Sequence, residues 1–288
     1  MPIIRKYGQG NLPNLIVIGA QKSGTTSLHY YLGLHPQISM SREKELEFFM
    51  EDRNWHKGIE WYKSHFMTGA KVRGESSPNY TAYPMWDGVP ERMHSVIPDT
   101  KLIYILRDPI ERMLSQYVQY RSVGLDDKPV EIAFESLDND NTYARRSRYF
   151  MQLQQYLKYF SSSRILVITA EDLLNERRKT LEKVFAFLSV DKTFYSPKFL
   201  NIKHGSGRRR QKNRIGLLLK HFAESDIAKV FSTDMRMKIG QVIELAFSTE
   251  IPRPVLDESL RAKLISFFKK DTDRLREFTG SDFSAWCV

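Results

Sequence analysis

The chain has 288 residues, and 44 lysines and arginines against 34 acidic residues leave a net charge of +10, which calls for an anionic partner. An apolar share of 41% supplies a large core and excludes wholesale disorder, while the single cysteine, Cys287, excludes an intrachain disulfide and a cysteine-based metal site. No apolar run near the start is long enough to cross a bilayer and no leader pattern opens the chain, so the expectation is a cytoplasmic protein of a reducing compartment. In chain order, strands are expected at 15–19, 71–75, 101–106 and 164–169, the first and last as aliphatic runs suited to burial on both faces. Helical patterns fall between and after them, at 25–34, 109–121, 144–160 and 177–188. Beyond residue 189 no strong strand is visible; 190–214 reads as irregular and an amphipathic helix follows at 257–277. The alternation predicts an α/β, three-layer fold with a central, mainly parallel sheet and a helical C-terminal part. A single domain is expected over 1–288, with its core at about 13–189 and a basic loop and C-terminal helices at about 190–288.

The most informative stretch is 15–28, LIVIGAQKSGTTSL. A buried strand runs into Gly19, and Gly24, Thr25, Thr26 and Ser27 then open a helix, which gives the strand, glycine loop and helix of a phosphate-binding loop. Backbone N–H groups of such a loop and of the helix start converge on an anion. Gln21, Lys22 and Ser23 complete the candidate set. A Walker loop has lysine directly after its last glycine, whereas here Thr25 holds that place and Lys22 lies inside the loop.

A second motif, KLIYILRDPIERMLSQY at 101–117, places Arg107 at a strand end, Asp108 as N-cap and Pro109 at the first helical position. At about 100° per residue, Ser115 shares a helix face with Asp108, so a guanidinium and a hydroxyl are set to grip a phosphate together. A Walker B strand ends in aspartate to hold Mg²⁺; this one ends in arginine. Simple pairing of Arg107 and Arg112 with Asp108 and Glu111 is the competing expectation.

Together the two motifs resemble the sulfotransferase superfamily, the first its 5′-phosphosulfate loop and Arg107 with Ser115 its 3′-phosphate clamp. The resemblance implies a P-loop-containing fold and 3′-phosphoadenosine 5′-phosphosulfate as co-substrate, with no metal required. Within the superfamily the chain is most similar to the heparan sulfate group, the glucosamine 3-O-sulfotransferases and N-sulfotransferase domains. KELEFF at 44–49 resembles their K-E-x-H-F-F segment, GESSPNY at 74–80 their E-K-[ST]-x-x-Y segment, and 147–160 the helix after the clamp. Ser76 stands where that group has a substrate-contacting lysine, and Glu47 where it has histidine. The lone cysteine also separates this chain from the anchored, disulfide-bearing vertebrate enzymes, which points to a bacterial-type member.

Sulfuryl transfer is an in-line displacement that needs positioning, a positive charge at the leaving oxygen and a base for the acceptor. Lys22 fits the second task. Glu43, Glu45 and Glu47 alternate and would share a face if 41–50 were extended, and their spacing does not choose among them. The family match points to Glu45 as the base. The basic run 203–214, KHGSGRRRQKNR, favours an anion-binding loop; by analogy with a donor lid, Lys203 and Arg208 are candidate contacts. The expected partners are thus the nucleotide donor and a small-molecule or glycan acceptor, with neither nucleic acid nor a membrane span. A P-loop nucleotide kinase, a basic nucleic-acid-binding protein and a catalytically dead nucleotide-binding protein are the alternatives. The seven histidines show no H-x-x-x-H or H-E-x-x-H spacing, and His29 and His35 read as structural. The aromatic stripe Tyr149, Tyr156, Tyr159 and Phe160 reads as core, with Tyr149 placed to line an acceptor cleft.

Overall fold

A computed structural model describes residues 11–138, 140–201, 210–212 and 248–288. Its centre is a five-stranded, all-parallel sheet in the order β2-β3-β1-β4-β5. The strands are β1 (Leu15–Gly19), β2 (Ile38–Met40), β3 (Val72–Ser76), β4 (Lys101–Leu106) and β5 (Ile165–Thr169). Every residue of β1 is buried, as a strand covered by helices on both faces requires.

Numbered among the described residues, the helices are α1 (Thr25–Leu32), α2 (Gly58–Lys63), α3 (Val89–Val96), α4 (Pro109–Ser122) and α5 (Val130–Ala133), followed by α6 (Thr142–Ser147), α7 (Tyr149–Leu157), α8 (Ala170–Asn175), α9 (Arg177–Phe187) and α10 (Glu258–Thr279). On one sheet face Leu28 and Leu32 of α1 pack with Leu173 of α8 and Leu181 and Phe185 of α9 against Leu15, Val17 and Ile103. On the other face Tyr62, Met93, Tyr149, Leu153 and Tyr156 pack against Ile16, Ile18, Leu102 and Tyr104. Helix α10 joins this second layer to a third cluster, with Leu275 in the second layer and Leu264 and Phe268 beside Met113 and Phe134 in the third cluster. The three-layer α/β, P-loop-containing arrangement is the one expected. No described helix is long and apolar enough to cross a membrane.

Three expectations about elements need correction. The helix expected at 144–160 breaks at Arg148 (φ −81°, ψ 77°), which separates α6 from α7. Strand β2 was not anticipated, because three residues are too short for a period to register. The region after 189 also contains strands: β6 (Arg210–Lys212) pairs antiparallel with β7 (Ser248–Glu250), and β6 lies beside α4.

Candidate active site

In a parallel sheet, ligands bind outside the carboxyl ends of strands where the connections diverge. Here β1 leads away toward β2 and β3, β4 leads toward β5, and the two strands are neighbours, so the crevice opens between Gly19 and Leu106. The loop after β1 is tied to its neighbour by the Ala20 N–H donating to the Ile105 carbonyl at 2.6 Å. Gly19 has no room for a side chain, since a Cβ there would lie 2.1 Å from Thr81 Oγ1 and 3.0 Å from the Tyr104 ring. Lys22 (φ +73°) and Gly24 (φ +90°) take left-handed backbone on either side of the buried Ser23, which curls the loop into a concave run of amides. The first intrahelical bond of α1 runs from Leu28 N–H to the Gly24 carbonyl, at 3.1 Å. The amides of Thr25, Thr26 and Ser27 precede it, at the positive end of the helix dipole. Gln21, Lys22, Thr26 and Ser27 are half-buried at this edge, and Thr25 is buried.

Arg107 follows β4 on the other side of the crevice. Its carbonyl accepts from the Tyr149 hydroxyl at 2.7 Å, and its guanidinium lies 3.2 Å from Glu111, which also binds Arg253. Asp108 caps α4 as expected, accepting from the N–H groups of Ile110 and Glu111 at 2.9 and 3.0 Å. The pairing anticipated for Arg107 with Glu111 is therefore present. Arg112 instead is fully buried and donates to Ser147, Gln116 and the Tyr143 carbonyl. The C-terminal segment braces this corner: Cys287 N–H donates to Asp108 at 2.7 Å, and Trp286 Nε1 to Glu171 at 3.3 Å, while Glu171 also accepts the Asp108 N–H. Burial and then the hydrogen bond to Asp108 push the Cys287 thiol up to about 12, so it stays protonated. Ser115 is half-buried on α4. Tyr149 is buried in the core and does not line a cleft, which corrects that expectation.

The glutamate segment 41–50 is not a strand. Glu45 (φ +65°) and Glu47 (φ +47°) are both left-handed, so the three carboxylates point to different neighbours and not to a shared face. Glu43 is exposed, 3.6 Å from His65. Glu45, 44% exposed, pairs with Lys44, and its N–H donates to the Ser76 carbonyl at the end of β3. Glu47, 16% exposed, accepts from Asn79 Nδ2 at 2.5 Å and lies 3.8 Å from Arg53. Its N–H donates to Ser77 Oγ, which in turn donates to Glu75. The Glu75 carboxyl is fully buried beneath the segment and also accepts from the Tyr62 and Tyr80 hydroxyls at 2.8 and 2.9 Å; burial raises its pKa despite these donors.

Two contacts join this acidic side to the loop after β1. Arg146 of α6 donates to Gln21 in the loop at 2.9 Å and to Asn79 at 2.8 Å. Neither Arg146 nor Asn79 stands out in the sequence, because a polar strut shows no spacing. Ser76 is buried, with its hydroxyl 3.0 Å from His29 Nδ1, while His29 Nε2 lies 3.2 Å from the Ser41 carbonyl. A carbonyl only accepts, so Nε2 carries the proton and Nδ1 accepts from Ser76. Burial, and then the Lys44 charge, lower the His29 pKa to about 4. Lys203 and Arg208 lie outside the described residues.

A family model described as the sulfotransferase domain matches residues 12–213, and the chain belongs to that family. It is 32% identical over 203 residues to the mouse bifunctional heparan sulfate N-deacetylase/N-sulfotransferase 4, covering 62% of this chain and 22% of that protein. To human heparan sulfate glucosamine 3-O-sulfotransferase 5 it is 34% identical over 190 residues, covering 62% of this chain and 54% of the relative. The chain thus spans from about a fifth to about half the length of these curated relatives. Among solved structures, a sulfotransferase from Alicyclobacillus acidocaldarius superposes with a TM-score of 0.67 at 21% identity, covering 96% of this chain and 100% of that one. Mouse sulfotransferase SULT7A1 complexed with PAP superposes with a TM-score of 0.50 at 15% identity, covering 95% of this chain and 88% of that one.

Proposed function

We propose that the chain transfers a sulfuryl group from 3′-phosphoadenosine 5′-phosphosulfate to a hydroxyl or amine of an acceptor. The observation that carries this reading is the crevice between β1 and β4, with the curled loop of Lys22 and Gly24 on one side and Arg107 on the other. Backbone amides of 21–27 hold the 5′ end of the donor, and Arg107 with Ser115 holds the 3′-phosphate, for which Arg107 exchanges Glu111 for the ligand. By analogy with the family's basic donor loop, Lys203 and Arg208 are assigned to the nucleotide. The acceptor oxygen or nitrogen attacks sulfur, the bond from sulfur to the bridging phosphate oxygen breaks, and the acceptor proton passes to Glu45. Lys22 neutralises charge developing on the leaving oxygen, an electrostatic role worth about 3 kcal/mol in comparable sites.

The heparan sulfate relatives favour a carbohydrate acceptor. Ser76 tempers that choice: it occupies the lysine position of that group, is buried, and is engaged with His29, so it offers no cation to a sulfated chain. A second reading of the base rests on geometry, since Glu47 is the more enclosed carboxylate and is oriented by Asn79.

A thermal-shift titration with 3′,5′-adenosine bisphosphate tests the donor, and stabilisation by ATP–Mg²⁺ in its place would favour a kinase. A labelled-sulfate screen over sugars, amines and phenols then identifies the acceptor. Lys22→Ala and Glu45→Gln are expected to abolish transfer, with the second leaving donor binding intact. Full activity in Glu45→Gln would move the base to Glu47, or to Glu43.

A further inference from the structure

Arg146 is buried, and among the described residues no carboxylate is within ion-pair distance of it. Its Nη1 makes the two bonds to Gln21 and Asn79, its Nη2 reaches Met85 Sδ at 3.4 Å, and its Nε has no partner among the described residues. A guanidinium removed from water without a counter-ion is costly, so its place calls for a compensating role. Asn79 is the joint of the arrangement. Its Oδ1 accepts from the cation while its Nδ2 donates to the Glu47 carboxylate, so the two partners fix the amide in one orientation. Gln21 belongs to the loop that faces the donor, and Glu47 to the segment that faces the acceptor.

We propose that Arg146 is a positioning residue that couples the donor loop, through Gln21, to the acceptor-side carboxylate of Glu47, through Asn79. This rests on the donor reading above and goes beyond it. A multiply charged donor beside the loop supplies the negative charge that Arg146 lacks, and the same guanidinium then holds Asn79 and Glu47 in register with the filled loop. Donor occupancy and the setting of Glu47 are thereby linked, and linkage is reciprocal: disturbing Glu47 must change donor affinity.

The test is calorimetric titration of 3′,5′-adenosine bisphosphate into the full chain and its variants. Asn79→Ala and Glu47→Gln leave the bond between Arg146 and Gln21 in place, yet each is expected to change bisphosphate affinity by about threefold or more. In an Arg146→Met background both effects are expected to shrink to within about 1.5-fold, because the link is cut. Arg146→Lys keeps the charge but reaches fewer partners, and is expected to recover part of the affinity lost in Arg146→Met. If the methionine variant does not fold, the lysine variant serves as the background and the coupling is expected to fall there too. Full additivity, or an unchanged affinity in both Asn79→Ala and Glu47→Gln, would overturn the coupling while leaving the donor reading intact. Absence of bisphosphate binding by the unaltered chain would overturn the donor reading and the coupling with it.

Discussion

Asp271 of α10 caps helix α7 at Phe150: its two carboxylate oxygens accept the N–H groups of Phe150 and Met151 at 2.8 and 3.0 Å. A helix start otherwise leaves such donors unpaired, and here a residue more than a hundred positions away supplies the acceptor. Replacing Asp271 with alanine is expected to cost about 2 kcal/mol in urea unfolding, and Asp271→Asn less, since one acceptor oxygen remains.

Gly19 and Gly24 are expected to fail differently as alanine. At Gly19 the new methyl meets Thr81 and the Tyr104 ring, so the cost of about 1–3 kcal/mol is an overpacking cost and appears in chemical denaturation. At Gly24 the space is open, with Ile105 Cδ1 at 3.7 Å, and the penalty of about 1 kcal/mol comes from the +90° φ. That substitution is expected to weaken 3′,5′-adenosine bisphosphate binding more than it lowers the melting temperature.

His29 gives the fold an acid limit. Its pKa, lowered to about 4 by burial and then by Lys44, lies below the ordinary value near 6.5, so the unfolded chain binds the proton more readily. The resulting contribution is complete above about pH 6.5 and is lost as pH falls toward 4, by about 3 kcal/mol in all. His29→Gln is expected to flatten stability between these limits, measured by denaturant midpoints at a series of pH values. An unchanged slope would place the proton uptake elsewhere.

Trp286 is 8% exposed, stacks on Phe283 at 4.3 Å and 13°, and donates to Glu171. Trp286→Ala is expected to cost about 3 kcal/mol or more and, by loosening Glu171 from the Asp108 N–H, to weaken bisphosphate binding. Trp286→Phe keeps a ring against Phe283 but loses the N–H donor and part of the buried volume, so its stability loss is expected to be smaller, about 1–2 kcal/mol. Melting curves with and without the bisphosphate separate the two effects.

Much of this architecture was legible from local pattern. The aliphatic strands, the left-handed glycine of the loop and the Asp108-Pro109 helix start all act within a few residues of themselves, so a linear reading finds them. The glutamate segment was not legible, because the alternation of Glu43, Glu45 and Glu47 promised a shared face that positive φ at two of the three dissolves. The break at Arg148 escaped for the opposite reason. A helical pattern is read on both sides of it, over 144–160, and the cap that starts the next helix comes from Asp271. Arg146 carries no local signal either, since its partners Gln21 and Asn79 meet it only in three dimensions.

The position of β1 in the sheet has a consequence for motion. It is the central strand of five and is wholly buried, so the amides that exchange slowest with solvent should be those just ahead of the glycine loop after β1. The glutamate segment instead leaves the three-residue edge strand β2, where local opening costs least. Under the proposed function the nucleotide docks on the wall held by the central strand, while the opposite wall follows an edge strand and is anchored by Phe48, Phe49 and Met50 in the core and by the Glu45 N–H bond to Ser76. Under that proposal the donor wall is fixed by the centre of the sheet, and differences of acceptor fall on the segment at its edge.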